Sequence, residues 1–124
     1  MNVVDSSGWI EHLSSGSNAA YFREPIEDTP ALLVPSFSLF EVYRHMVRHR
    51  DREEALSVVA AMRKGAVIDL DDRLALEAAE ISIDTRLPLA DSVMLATARS
   101  RGAELWTQGS DFKGLEDVRF FKKR

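Results

Sequence analysis

At 124 residues and 45% hydrophobic content, the chain has the size of one compact domain, residues 1–124, with enough apolar sequence to bury a core. The absence of cysteine excludes disulfides, thiolate catalysis and cysteine-based zinc sites, and a formal net charge of −4 excludes a polyanion binder that works by overall charge. No apolar run approaches the roughly 20 residues of a bilayer span, and the amino terminus lacks the charged and apolar regions of a signal peptide, so a soluble, cytoplasmic protein without membrane contact is expected.

Val3 and Val4 form a short apolar strand, followed by a helix over Ser6 to Leu13 that turns Trp9, Ile10 and Leu13 inward. Ser14 to Ser17 punctuates the chain. A second helix, Asn18 to Glu24, packs through Ala19, Ala20 and Phe22, with Pro25 limiting its run. Ala31 to Val34 is the second strand, and Pro35, Ser36 and Ser38 supply helix-start chemistry for a helix reaching about Arg50. Arg52 to Lys64 pairs with it as a helical hairpin, with Leu56, Val59, Ala60 and Met62 on the inner face and Gly65 as the stop.

Val67 to Leu70 reads as the third strand. Asp71 or Asp72 caps a helix whose apolar surface is Leu74, Leu76, Ala78, Ala79, Ile81 and Ile83, interrupted by Pro88. Ala90 to Arg101 is apolar almost all round, which predicts a buried helix ended by Gly102. Glu104 to Trp106 is the fourth strand, Thr107 to Ser110 a loop, Phe112 to Leu115 a helical turn, and Val118 to Phe121 an edge strand before the basic Lys122 to Arg124. Strands alternating with helices imply a parallel sheet covered on both faces.

Most acids lie in mixed-charge runs, where solvation or helix capping accounts for them. Asp5, Glu41, Asp91 and Asp111 instead stand alone in uncharged, largely apolar sequence. A buried carboxylate without compensation costs several kcal/mol or takes up a proton. Each has an ordinary explanation: a cap for Asp5, a buried ion pair for Glu41, a helix-dipole charge for Asp91 and a turn for Asp111. Jointly, their places after strand one, in the helix after strand two, before strand four and after strand four put all of them at the carboxyl edge of a parallel sheet. Such a set suits Mg2+ or Mn2+, which prefer oxygen ligands, and phosphodiester hydrolysis by a metal-activated water.

The segments VVDSSGWIE (3–11), FSLFEVYRH (37–45), LADSVMLATAR (89–99) and LWTQGSDF (105–112) resemble, in order and spacing, the motifs of PIN-domain proteins. Length and element order are most similar to the VapC group, toxin ribonucleases of toxin–antitoxin pairs. The resemblance implies a PIN-like α/β/α sandwich with a five-stranded parallel sheet of order 3-2-1-4-5. It also implies Mg2+- or Mn2+-dependent endoribonuclease activity, a VapB-type antitoxin and a homodimer, for which the apolar early helices offer a surface.

Carried over by position, Asp5, Glu41 and Asp91 match the first three acids, with Ser6 and Thr107 as supporting hydroxyls near metal or phosphate. Relatives commonly carry an aspartate two residues after the threonine, where this chain has Gly109. Asp111 is the substitute fourth acid, and Gly109 puts a second metal in question.

Arg44, His45, Arg48, His49, Arg50 and Arg52 form a basic stretch read first as a solvated face, then as a contact for RNA phosphate or an acidic antitoxin segment. His45 and His49 have metal spacing, but the flanking arginines disfavour a cation. Trp9, Phe37, Phe40, Tyr43 and Trp106 are expected in the core or a dimer contact. Two rivals remain. One is a degenerate PIN module that binds RNA or a partner without turnover. The other is a receiver-like domain, disfavoured because Asp5 has no acidic neighbour.

Overall fold

A computed structural model describes residues 1–124. The elements in chain order are β1 (Asn2–Val4), α1 (Ser6–Leu13), α2 (Ala19–Glu27), β2 (Leu32–Pro35), α3 (Ser36–His49), α4 (Arg52–Met62), β3 (Ala66–Ile68), α5 (Asp72–Thr85), α6 (Leu89–Ser100), β4 (Glu104–Thr107) and β5 (Val118–Phe120). Short 3-10 turns at Thr29–Ala31 and Ser110–Phe112 lead into β2 and out of β4. The strands form one parallel sheet in the order β3-β2-β1-β4-β5. The expected sandwich and its 3-2-1-4-5 order are therefore present.

Successive strand residues point to opposite faces, and here both faces are buried. On one face Val3, Leu33 and Leu105 pack with Met94, Leu95 and Ala98 of α6 and with Phe112. On the other, Val4, Leu32, Val34 and Trp106 pack with Trp9, Phe22, Ile26, Val42 and Met62 from α1 to α4. Residues Ser92 to Ala98 of α6 are buried without interruption, because this helix lies between the sheet and α5. No helix is long and apolar enough to cross a membrane.

Pairing sets the site. Val4 lies opposite Trp106 and Thr107 opposite Phe120, so the carboxyl ends of β1, β4 and β5 come out side by side. The chain builds outward from β1 to β2 and β3, then crosses back to β4 and β5 on the other side. Such a reversal leaves a crevice at the carboxyl ends of the strands beside it.

Several sequence expectations shift. Pro25 lies inside α2, which continues to Glu27. It forgoes only the ladder bond to the Tyr21 carbonyl, in the last turn, and its ring is buried. Ala31 belongs to a 3-10 turn, Pro35 closes β2 as well as opening α3, and β3 begins at Ala66. Thr107 ends β4 instead of entering the loop, and the following turn is Ser110–Phe112. Asp71, not Asp72, caps α5.

The inner faces of two helices also differ from expectation. On α4, Ala55 and Met62 are buried while Leu56 and Ala60 are exposed. On α5, Leu74 and Ala78 face inward, whereas Ala79, Leu76 and Ile83 face solvent, the last two 71% and 73% exposed. Among the aromatics Trp9 and Trp106 are core residues, Phe37 and Tyr43 are half-buried, and Phe40 is exposed.

Candidate active site

Asp5 follows β1 directly and caps α1 with an extended backbone, φ −72° and ψ 172°. It is 5% exposed. Its Oδ1 accepts from the Gly8 amide at 2.9 Å and the Ser7 hydroxyl at 2.7 Å, while Oδ2 accepts from the Thr107 hydroxyl at 2.6 Å. Thr107 in turn accepts from the Gly109 amide at 2.9 Å. Burial pushes the Asp5 carboxyl above its usual range, while the bonds from Thr107, Ser7 and Gly8 and the charge of Lys123 pull it back.

Gly8 makes this cap possible. A Cβ there would stand 2.7 Å from both Val4 Cγ1 and Phe22 Cδ1, so only glycine lets the first turn of α1 lie against β1 and α2. Cap and candidate ligand are thus one residue. The cap uses Oδ1, and the tertiary contact uses Oδ2.

Glu41, half-buried on α3, accepts from the Ser6 hydroxyl at 2.6 Å. Asp91 lies in the first turn of α6 and is half-buried. Its pKa is pushed up to about 6, by burial first and then by the charges of Asp5, Asp111 and Glu41. Those three charges act on Asp91 together only because the fold gathers acids that lie 20, 50 and 86 residues from it in the chain at one edge. Asp111 sits on the 3-10 turn, exposed, its neighbour Phe112 anchoring the turn in the core.

The ion pairs of the molecule involve other residues: Arg50 with Glu54, Arg73 with Glu77, Arg99 with Asp117 and Arg119 with Glu104. Asp5, Glu41, Asp91 and Asp111 thus face one another without a paired cation. They are not drawn together at coordination distances either, since no group of three or more acids or histidines is already set for a metal. In donor type the set fits a hard divalent cation.

Ser6 and Thr107 lie among the acids. Both hydroxyls are spent on carboxylates, orienting Glu41 and Asp5. Ser7, which was not among the expected site residues, holds Asp5. Its signal was its place two residues after a capping aspartate, where a short polar side chain can fold back. At Gly109, φ is an ordinary −74°, and a Cβ would lie 3.3 Å from Thr107 Oγ1 and Phe112 Cδ2. A side chain there requires Thr107 or Phe112 to give by a few tenths of an ångström.

The model of the PIN domain family matches residues 3–118. The chain belongs to the PIN domain family. Its sheet order is the one expected above for a PIN domain, and its fold is shared by solved structures of low sequence identity. A toxin–antitoxin complex from Klebsiella pneumoniae superposes with a TM-score of 0.84 at 20% identity, covering 98% of this chain and 99% of that one. Mycobacterium tuberculosis VapC20, a Sarcin-Ricin loop cleaving toxin, gives 0.75 at 18% identity, covering 96% and 99%. DNA-bound VapBC from Salmonella typhimurium gives 0.75 at 18% identity, covering 98% and 96%. No curated protein matches the sequence significantly.

The basic stretch on this PIN domain is exposed, and Arg44 and Arg48 border a groove with Ser6 and Glu41. Arg44, Arg48, His49, Arg50 and Arg52 are exposed. His45 and His49 stack at 4.2 Å with 20° between ring planes, and His49 Nδ1 lies 3.0 Å from the His45 carbonyl, so one ring nitrogen is already engaged. Burial, and secondarily the charge of His49, lowers the His45 pKa. The two histidines border a groove of about 320 Å³ with Ile10 and Leu13 of α1 and Val58 of α4.

Proposed function

We propose that the chain is a Mg2+- or Mn2+-dependent endoribonuclease and the toxin of a VapBC-type pair, its partners being RNA, a VapB-type antitoxin and a second copy of itself. The observation that carries the reading is the gathering of Asp5, Glu41, Asp91 and Asp111 at the β1/β4 crevice, where burial first and the other three charges second push the Asp91 carboxyl up to about 6. Four carboxylates with no paired cation offer the oxygen donors that a hard divalent cation prefers.

Asp5, Glu41 and Asp91 would hold the divalent ion, with Asp111 contributing from the rim. The ion, when bound, supplies an acidified water and neutralises charge on the phosphate. The protein's own part is orientation. Thr107 and Ser7 fix both Asp5 oxygens, Ser6 fixes one Glu41 oxygen, and the burial of β1 and α6 keeps these groups on rigid supports. With its pKa pushed up to about 6, the half-buried Asp91 carboxyl holds a proton below that pH, where loading with a cation would release it.

RNA cleavage assayed with Mg2+, with EDTA and with Asp5→Asn tests this: equal activity in all three sinks it. Dimerisation is supported by the outward Leu76 and Ile83, which share one face of α5, and by exposed Leu89 and Phe40. Light scattering that shows only monomer at micromolar concentration would count against that part. The antitoxin is tested by co-expression with a small DNA-binding protein encoded alongside, which should relieve toxicity.

Gly109 favours a second reading, a binder without turnover. Tight Mn2+ binding with no cleavage of any RNA selects it. With Thr107 or Phe112 giving by a few tenths of an ångström, Gly109→Asp would then create activity.

A further inference from the structure

The segment that leaves β5 is held more firmly than an exposed basic stretch requires. The Phe121 amide donates to the Thr107 carbonyl at 2.8 Å, carrying the sheet pairing one residue beyond β5 on the very threonine that binds Asp5. Phe121 stacks on Tyr21 at 4.7 Å and meets Phe22 edge-on at 5.5 Å. Asn18 is 1% exposed, and its Nδ2 donates at 3.0 Å both to the Lys122 carbonyl and to the side chain of Gln108. Arg124 donates to the Tyr21 hydroxyl at 2.6 Å. Fixed partners therefore bracket Lys123 on both sides.

Lys123 itself is exposed and takes part in no ion pair. Its backbone lies two residues beyond Phe121, whose amide bonds the Thr107 carbonyl, and the Thr107 hydroxyl bonds Asp5, so the root of Lys123 lies beside the acids. A cation with a fixed root thus stands at the lip of an acid-lined crevice.

Four carboxylates repel an incoming polyanion, and the protein as a whole, at −4, offers no compensating field. A local cation at the lip is what a nucleic-acid backbone needs to approach. We infer that Lys123, rooted by Asn18, Phe121 and Arg124, binds a backbone phosphate of single-stranded RNA at the rim of the carboxylate crevice. This rests on RNA being the substrate, as proposed above. Lys123 is a binding residue, and Asn18 is a positioning residue that acts through the Lys122 carbonyl.

The test is fluorescence anisotropy with a labelled single-stranded oligoribonucleotide in Ca2+ buffer at several salt concentrations, comparing wild type with Lys123→Gln, Lys123→Arg and Lys122→Gln. Lys123→Gln should weaken binding about tenfold and reduce the salt slope by about 0.7, the share of one phosphate contact on a single strand. Lys123→Arg should retain both, and Lys122→Gln should lose less. Mn2+ affinity should not weaken in Lys123→Gln.

Unchanged RNA affinity and slope in Lys123→Gln overturns the inference. Tighter RNA binding also overturns it, since the ammonium would then be a plug over the acids. Wild type that binds RNA but cleaves none with Mg2+ or Mn2+ removes the nuclease reading and leaves this contact measurable. Wild type that binds no RNA overturns both.

Discussion

Asp5, Asp51 and Asp71 perform the same local task in different surroundings. Each has an extended backbone, and each accepts from the amide three residues on, Gly8 at 2.9 Å, Glu54 at 2.8 Å and Leu74 at 2.8 Å. Asp51 and Asp71 are exposed and stop there. Asp5 is buried, and its second oxygen meets Thr107, 102 residues away. A cap becomes a site residue when the fold closes over it and brings a donor, and further acids, to its free side.

The largest expected contrast comes from removing charge while keeping the cap. Asp5→Asn can still cap α1, so it should fold, melt at or above the wild-type temperature in EDTA because acid repulsion is relieved, and lose cleavage by more than about a hundredfold. Asp51→Asn should alter neither. If Asp51→Asn lost as much cleavage as Asp5→Asn, the distinction between the two caps would collapse.

Thr107→Val removes the tertiary bond and nearly preserves shape at a position that is fully buried. Cleavage and Mn2+ affinity should fall about 10–100-fold. Titration calorimetry showing unaltered Mn2+ affinity would deny Thr107 its orienting role.

A third contrast concerns pH in metal-free protein. The Asp91 carboxyl is raised from its ordinary 3.8 to about 6, so between those values the folded chain holds a proton that the unfolded chain has released. The stability this contributes is present below pH 3.8 and lost as pH rises through about 6. Melting curves in EDTA should therefore show wild type losing stability from pH 4 to 7 relative to Asp91→Asn. Saturating Mn2+ should abolish the difference. Parallel curves for the two proteins across that range would contradict the gathering of acids around Asp91.

The smallest effects belong to the exposed caps. Asp51→Ala and Asp71→Ala should each lower stability by about 1 kcal/mol, read from urea denaturation, with cleavage and Mn2+ affinity unchanged. A loss of metal affinity in either would extend the site beyond the β1/β4 crevice.

Much of this arrangement was legible in the residues. Solitary Asp5, Glu41, Asp91 and Asp111 stand out because neighbouring charges, which explain most acids, are missing around them. Burial of α6 follows from its unbroken apolar run. Helix faces were less legible: on α5 the apolar spacing includes Leu76 and Ile83, yet the sheet and α6 take only the face of Leu74 and Ala78. Periodicity says which side chains share a stripe, whereas packing decides which stripe is covered when a helix carries more than one.

The sequence by itself determined the alternation of strands and helices, the buried last helix and the isolation of the acids, because these follow from local patterns of polarity and capping chemistry. Tertiary structure alone decided that Ser7 and Thr107 grip the two oxygens of Asp5, that Ser6 turns to Glu41, and that Phe121 anchors Lys123 beside them. Those contacts span strands joined by the β1/β4 pairing, and the register of a parallel sheet is set by packing on both of its faces, not by any one segment.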